Sequence, residues 1–167
     1  YASIEVALKD VDYFHWPVIV KPVDSAGSKG VSRVDTPEAL LEAVSYALSE
    51  AHNGHFIIED FLDKKGCSSD SDCFSINGKL AFCSFSDQKF DLDADNPYTP
   101  AAYSWPSTMP KYAKEELTNE LQRLMTLLHV KTGVYNVETR LCTNGKPYIM
   151  ELSPRGGGNR LSEMLRY

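Results

Sequence analysis

The dipeptide Asn144-Gly145, lying between two runs of alternating residues, constrains this chain more than any other feature. Asn-Gly so flanked predicts a two-residue type I′ hairpin turn, because both positions accept positive φ and the turn twists with its strands. With those two residues as the loop, Thr143 faces Lys146, Leu141 faces Tyr148 and Glu138 faces Glu151. Side chains alternate across a strand, which sorts the two faces. One carries Tyr135, Val137, Thr139, Leu141, Tyr148, Met150 and Leu152, a surface for a core. The other carries Asn136, Glu138, Arg140, Ile149, Glu151 and Ser153, with Arg155 just beyond.

Opposed residues of such a pair hold their Cβ atoms about 4.5 to 5.5 Å apart, where like charges repel. A hard cation such as Mg²⁺ removes the conflict, since it takes carboxylate oxygens and shares them with substrate phosphates. The pairing leaves a second reading open: a solvated outer face whose glutamates are screened by water and Arg140.

At 167 residues and 43% hydrophobic content, the chain can bury the core of one domain or of two small lobes. Its net charge of −6 argues against nucleic acid and anionic membrane as partners. No apolar run approaches membrane-spanning length and no signal segment opens the chain, so a cytoplasmic location is expected. Cys67, Cys73, Cys83 and Cys142 lack CxxC spacing and are expected as reduced thiols; the four histidines form no metal motif. Both ends cut into helical patterns, which suggests a piece of something longer.

Ser3 can cap a helix carrying Ile4, Val6, Ala7, Leu8, Val11 and Phe14, and Pro17 ends it. Val18 to Val20 reads as a buried strand leading into Lys21. The glycine-rich stretch 23–34 follows, in which Gly27 and Gly30 permit positive φ, and Lys21, Lys29 and Arg33 supply positive charge. Successive backbone N–H groups in such a turn can make an anion-binding nest for a phosphate, although neither GxxxxGK[ST] nor GxGxxG is present, and a plain hairpin connection is the other reading. After a further strand, Thr36-Pro37-Glu38 starts a helix with a Leu40, Leu41, Val44, Leu48 and Ala51 stripe, and Phe56 to Ile58 is a strand entering Glu59-Asp60-Phe61-Leu62.

Residues 63–71 read as a charged loop. A second Asn-Gly, at 77 and 78, joins strands over 72–76 and 79–85, with Lys89 near the end of the second. The proline-rich stretch 91–110 reads as irregular, in the manner of a lid, and 111–131 as the longest helix, with Leu117, Leu121, Leu124, Met125 and Leu128 facing a core.

Four ordered stretches, VIVKPVDSAGSKGVSRV, IIEDFL, GVYNVETR and YIMELSPRGGGN, together resemble the ATP-grasp ligases over nearly the whole chain, particularly the branch of the carbamoyl-phosphate synthase large subunit and related carboxylate-amine ligases. The resemblance implies an α+β ATP-grasp fold in which two lobes with antiparallel sheets grip the nucleotide: an N-terminal lobe over 1–62 and a C-terminal lobe over 63–167. It implies ATP and Mg²⁺ or Mn²⁺ as cofactors. Lys21 would contact the α/β-phosphates, and the loop Ser25 to Gly30, with Gly27, Ser28 and Lys29, would close over the β/γ-phosphates. Glu59, Asp60, Phe61 and Leu62 would form the adenine hinge. Glu138 and Glu151 would hold the metal, with Ser153 at the third position, where the family usually has Asn. Arg155 would hold the transferring phosphoryl group or the substrate carboxylate, with Gly156, Gly157 and Asn159 beside it and Lys89 as a further candidate. Lys21, Lys29 and Arg155 would be the catalytic cations. The acid that many members use for ribose falls at Gly66 or Ser68, with Asp70 or Asp72 as substitutes.

The activity implied is phosphorylation of a small carboxylate to an acyl phosphate, then attack by an amine. Biotin-carboxylase-like and kinase-like reactions stay open within the enzyme class. A degenerate nucleotide-binding module with a regulatory or assembly role and no turnover is the rival from another class. A preceding substrate domain would be a further partner, oligomeric state is open with a homo-oligomer included, and the isolated 167-residue piece is expected to bind Mg-ATP weakly and to be inactive.

Overall fold

The structure, a computed structural model, describes residues 1–158 and 161–166 and, at 161 and 162, the backbone alone. Two compact units make up the chain: Tyr1–Leu62 with Ala94–Thr99, and Asp63–Asp93 with Pro100–Tyr167.

The first unit opens with α1 (Ile4–Ala7), which tightens into a 3₁₀ helix over Leu8–Tyr13. Of the expected stripe to Phe14, Ala7 is buried and Ile4 and Phe14 pack against the core, while Val6 and Leu8 face solvent. Strand β1 (Val18–Pro22) is the centre of a three-stranded antiparallel sheet, flanked by β2 (Ser32–Val34) and β3 (Phe56–Asp60). Val18, Val20 and Pro22 alternate onto its buried side, which leaves Ile19 and Lys21 on the other. Helix α2 (Leu40–Glu50), entered through a 3₁₀ turn over Pro37–Ala39, buries Leu40, Ala43, Val44 and Ala47. That spacing follows the 3.6-residue period, whereas Leu41 of the expected stripe is 61% exposed. These side chains close on Val18, Val20, Val34 and Phe56 in one cluster. Phe56 is fully buried, so truncating it to Ala would cost about 3 to 5 kcal/mol.

In the second unit, β4 (Lys64–Ile76), β5 (Lys79–Cys83), β8 (Gly133–Cys142) and β9 (Pro147–Ser153) form an antiparallel sheet in the order β5-β4-β8-β9; β6 (Asp87–Phe90) and β7 (Pro100–Ser104) make a separate pair. Helix α3 (Lys111–Leu127) packs Ala113, Leu117, Leu121 and Met125 against Tyr135, Val137 and Leu141. A short α4 (Leu161–Met164) follows the sheet.

Three expectations are corrected here. The stretch 63–71 is no loop: β4 begins at Lys64 and is an inner strand of the sheet, with Ser68, Ser69, Asp70, Ser71 and Asp72 all buried. Its backbone is satisfied where β5 stops, because Ser84 N–H reaches Asp72 O (3.1 Å) and Ser86 Oγ donates to Asp70 O (2.6 Å). The stretch 91–110 is not structureless either. Strand β7 pairs with β6, and Asp87 accepts bonds from Ser107 Oγ (2.9 Å), Thr108 N (3.0 Å) and Thr108 Oγ1 (2.7 Å), which anchor the chain before α3. Burial pushes the Asp87 carboxyl up, and those hydrogen bonds more than offset it, leaving it below the ordinary carboxylate value. Finally, α3 stops at Leu127, four residues before Lys131, where His129 takes a φ of +54° and turns the chain.

Candidate functional site

In the first unit the candidate residues start on the side of β1 that faces away from α2. Lys21 Nζ lies 2.8 Å from Glu59 Oε2, a pair from neighbouring strands of which the lysine is 24% exposed. The glycine-rich connection from β1 to β2 is tied down at its start: Asp24 Oδ1 and Oδ2 accept the N–H groups of His52 and Asn53 at 2.9 and 2.8 Å. Gly27, Ser28 and Gly30 have φ of +67°, +57° and +75°. At Gly30 a Cβ would stand 2.6 Å from Pro22 Cγ, so only glycine lets the loop return onto β1. Ser25 is half-buried and Lys29 is exposed. Two residues of the 94–99 segment touch this loop: Asn96 Nδ2 donates to Gly27 O (3.2 Å), and Ser28 Oγ donates to Tyr98 O (3.3 Å). Arg33, counted among the cations of the loop, pairs instead with Asp35 (2.8 Å) and lies over the Phe61 ring at 4.4 Å. Of the hinge residues, Glu59 and Asp60 end β3, His15 Nδ1 is 3.5 Å from Asp60, and Phe61 N–H bonds Pro17 O (3.1 Å).

In the second unit Glu138 and Glu151 are direct partners across β8 and β9. The expected register reaches this pair but not by the expected route. Near the turn the partners are Leu141 with Pro147 and Arg140 with Tyr148, one residue out of step with the prediction; a bulge at Met150 then restores it. The turn is longer than two residues because Thr143 N–H is taken by Asp63 O (2.9 Å), so Lys146 O receives Cys142 N–H instead (3.0 Å). Only Gly145, not Asn144, has positive φ. The bulge corrects the face assignment as well: Ile149 pairs with buried Thr139 and joins the core, while Tyr148 pairs with Arg140 on the polar face.

That polar face extends onto β4. Asp70 is the register partner of Glu138, and Asp72 that of Asn136, so Asp70, Glu138 and Glu151 form a row across three strands. Asn136 Nδ2 donates to Asp70 Oδ1 (2.5 Å) and Asp72 Oδ1 (3.3 Å), and Arg140 Nε donates to Ser68 Oγ (3.1 Å). Burial pushes the Asp70 carboxyl above its ordinary value against hydrogen bonds from Asn136 and Tyr103, while Asp72 raises it and Arg155 lowers it. Burial likewise lowers Arg140. The turn after β9 is fastened to the same face: Gly157 N–H donates to Asp72 Oδ1 (2.7 Å). Arg155 is exposed, with its Nη1 on Gly156 O (2.9 Å). Ser153 Oγ donates to Glu151 Oε1 (3.1 Å). Lys89, on β6, donates from Nζ to Cys67 Sγ at 3.0 Å and lies 3.9 Å from Asp87 Oδ2. Asn159 lies outside the described residues.

Among the described residues no three His, Cys, Asp or Glu side chains converge as a metal cluster. Two facing carboxylates are nonetheless the protein share that Mg²⁺ ordinarily takes when phosphates and water supply the rest. Hydrophobic periodicity does not mark the buried β4 acids Asp70 and Asp72, which entered only through the family resemblance, because the inner face of β4 is Ser69 and Ser71 and carries no apolar signal. The spacing of Ser68, Asp70 and Asp72 at every second residue was the available clue.

A family model for the ATP-grasp domain matches residues 14–163. The chain belongs to the ATP-grasp family. This ATP-grasp chain is 31% identical over 158 residues to the formate-dependent phosphoribosylglycinamide formyltransferase of Synechococcus sp. (strain CC9902), covering 93% of this chain and 38% of the relative. It is 28% identical over 151 residues to the carbamoyl phosphate synthase large chain, C-terminal section, of Aquifex aeolicus (strain VF5), covering 90% and 27%. Its fold is shared with a solved biotin carboxylase-beta-gamma-ATP complex from Campylobacter jejuni, at a TM-score of 0.80, 19% identity and coverage of 98% and 37%. The ATP-grasp chain thus spans roughly a quarter to two fifths of the length of such relatives. The α+β character with antiparallel sheets agrees with the expected fold class. No described helix is long and apolar enough to cross a membrane.

Proposed function

We propose that this chain is the nucleotide-binding catalytic core of an ATP-dependent ligase that phosphorylates a carboxylate and passes the acyl group to an amine. The observation that carries the reading is the opposition of Glu138 and Glu151 on a polar sheet face to which the Arg155 turn is fastened through Gly157 and Asp72. A ligand set of two carboxylates fits Mg²⁺ bound to a nucleotide's phosphates. Glu138 and Glu151 would hold that ion, or Mn²⁺ in its place, with the Ser153 hydroxyl beside Glu151. When bound there, the metal supplies neutralisation of the charge that builds on the β and γ oxygens.

The chain's own residues do the rest. Lys21, held by Glu59, and the Ser25 to Gly30 loop with Gly27, Ser28 and Lys29 bind the phosphates; Glu59 to Leu62 hold adenine; Arg155 steadies the group in transfer, with Lys89 a further cation for it. A substrate carboxylate oxygen bonds the γ-phosphorus as its bond to the β-phosphate oxygen breaks, and ADP leaves. The amine nitrogen then attacks the acyl carbon, phosphate departs, and the nitrogen gives up a proton. Such transfer depends on positioning and charge compensation, not on a protein nucleophile, which suits a site made of cations and carboxylates.

A second reading, nucleotide binding without turnover, draws on Ser153, whose hydroxyl is spent on Glu151 and is a poorer metal ligand than an amide oxygen. ADP release by the full-length parent, with candidate carboxylates and amines, separates the two. Glu151→Gln is expected to lower turnover at least 100-fold, about 2.7 kcal/mol of barrier. Turnover that survives the substitution would contradict metal-assisted transfer at this hairpin, and no turnover in the unsubstituted protein with any such pair would favour the binding module.

A further inference from the structure

Outside the ATP-grasp site, two thiols meet across a strand boundary. Cys73 of β4 and Cys83 of β5 are register partners, both are free, and their sulfurs are 2.7 Å apart. The other two cysteines are placed differently: Cys67 accepts from Lys89 Nζ at 3.0 Å, and Cys142 is buried where β8 pairs with Lys64. Cys73 is 1% exposed whereas Cys83 is half-buried, so a reagent in solution reaches the second and not the first. The hairpin that joins them is closed by Asn77-Gly78, with Ile76 opposite Lys79 and Phe74 opposite Phe82.

We propose that Cys73 and Cys83 are a reversible modification site, oxidised to a cross-strand disulfide by a small-molecule disulfide. The Cys83 thiolate attacks one sulfur of the reagent, forming a mixed disulfide and releasing one reagent thiolate. Cys73 then attacks the Cys83 sulfur, releasing the second. Two protein thiols lose two protons and two electrons, and the reagent becomes two thiols. The order follows from the surroundings: a hydrogen bond to Cys83 and burial hold the Cys73 thiol well above its ordinary value, so it waits as the resolving partner. The bond would fasten β5 to β4 one residue from Asp72, which holds Asn136 and Gly157 N–H.

Oxidised glutathione on the folded protein, followed by alkylation, tryptic digestion and mass spectrometry, tests this. Peptides 66–79 and 80–89 are expected to appear as one linked species lighter by two hydrogens, at least tenfold over the unlinked pair, and to separate on reduction. Cys67 shares peptide 66–79 with Cys73, so the digest is repeated on Cys67→Ser, where the link must persist. Cys83→Ala, at the half-exposed position, must abolish it. A link lost in Cys67→Ser, glutathione adducts that never resolve, or both thiols still free after oxidation would each overturn the proposal; the Cys67→Ser digest decides it even if Cys83→Ala does not fold.

Discussion

The second unit contains two hairpins closed by the same dipeptide, and they turn differently. At Asn77-Gly78 both residues have positive φ, +50° and +82°, and Ile76 faces Lys79 as a two-residue loop requires. At Asn144-Gly145 only the glycine does, at +79°, and the strands enter one residue out of step. The dipeptide is identical, so the cause lies in what surrounds it. The first turn is supported from outside in a manner that leaves its own bonds intact: Gly78 N–H reaches Lys131 O (2.9 Å), and Gln122 Nε2 donates to Gly78 O (2.9 Å). The second loses Thr143 N–H to Asp63 and must close through Cys142. A turn signal names the place where a chain reverses, while the neighbouring strand decides the register.

The contrast is sharpest at the glycines. Gly78→Ala combines left-handed backbone with a Cβ 3.2 Å from Val130 O, whereas a Cβ on Gly145 meets nothing within 4 Å. Denaturant unfolding is expected to show a loss of about 2 kcal/mol for Gly78→Ala and about 1 kcal/mol for Gly145→Ala. Equal losses would mean that the two turns are held alike.

A smaller effect of opposite sign is expected on the β4 side of the sheet. Burial raises the Asp70 carboxyl, so its stabilising share is present below the unfolded-state value and lost as pH rises through the folded one. Asp70→Asn keeps an acceptor for Asn136 and removes the charge. It should stabilise the protein at neutral pH by on the order of 1 kcal/mol, the ordinary size of a single substitution. The gain should vanish below about pH 4. Thermal unfolding across that range reads the difference; a loss of stability at neutral pH would show that the charged form is the favoured one.

The smallest effect belongs to Asn144. Its side chain accepts Lys146 N–H (3.0 Å) and donates to Tyr148 OH (2.9 Å), both exposed. Asn144→Ala should cost about 0.5 to 1 kcal/mol and leave the register unchanged, as cross-strand nuclear Overhauser contacts between Leu141 and Pro147 would report. Contacts shifted to Leu141 and Tyr148 would mean that Asn144, not Asp63, sets the longer loop.

Much of the fold was legible where apolar residues keep a period. Val18, Val20, Phe56, Leu40 and Val44 announce the sheet and helix of the first unit, and Leu117, Leu121 and Met125 announce α3. The end of β4 over 72–76 was legible from its turn, but its first part, 64–71, was not, since a strand flanked on both sides can be filled by serines and aspartates whose partners come from distant segments, Asn136, Ser84 and Ser86 among them. The opposition of Glu138 and Glu151 was read correctly through a register that is wrong near the turn, because the loop's extra residue and the bulge at Met150 cancel. Two local irregularities of that kind arise from tertiary competition for backbone groups and leave no mark on the periodicity of either strand.

The proposed function requires Glu138 and Glu151 to share one metal. Titration of Mn²⁺ into the full-length parent with ATP, followed by electron paramagnetic resonance, measures this with no reliance on the acceptor substrates. Glu138→Gln and Glu151→Gln are each expected to weaken Mn²⁺ binding at least tenfold, about 1.4 kcal/mol; unchanged affinity in both variants would contradict the account.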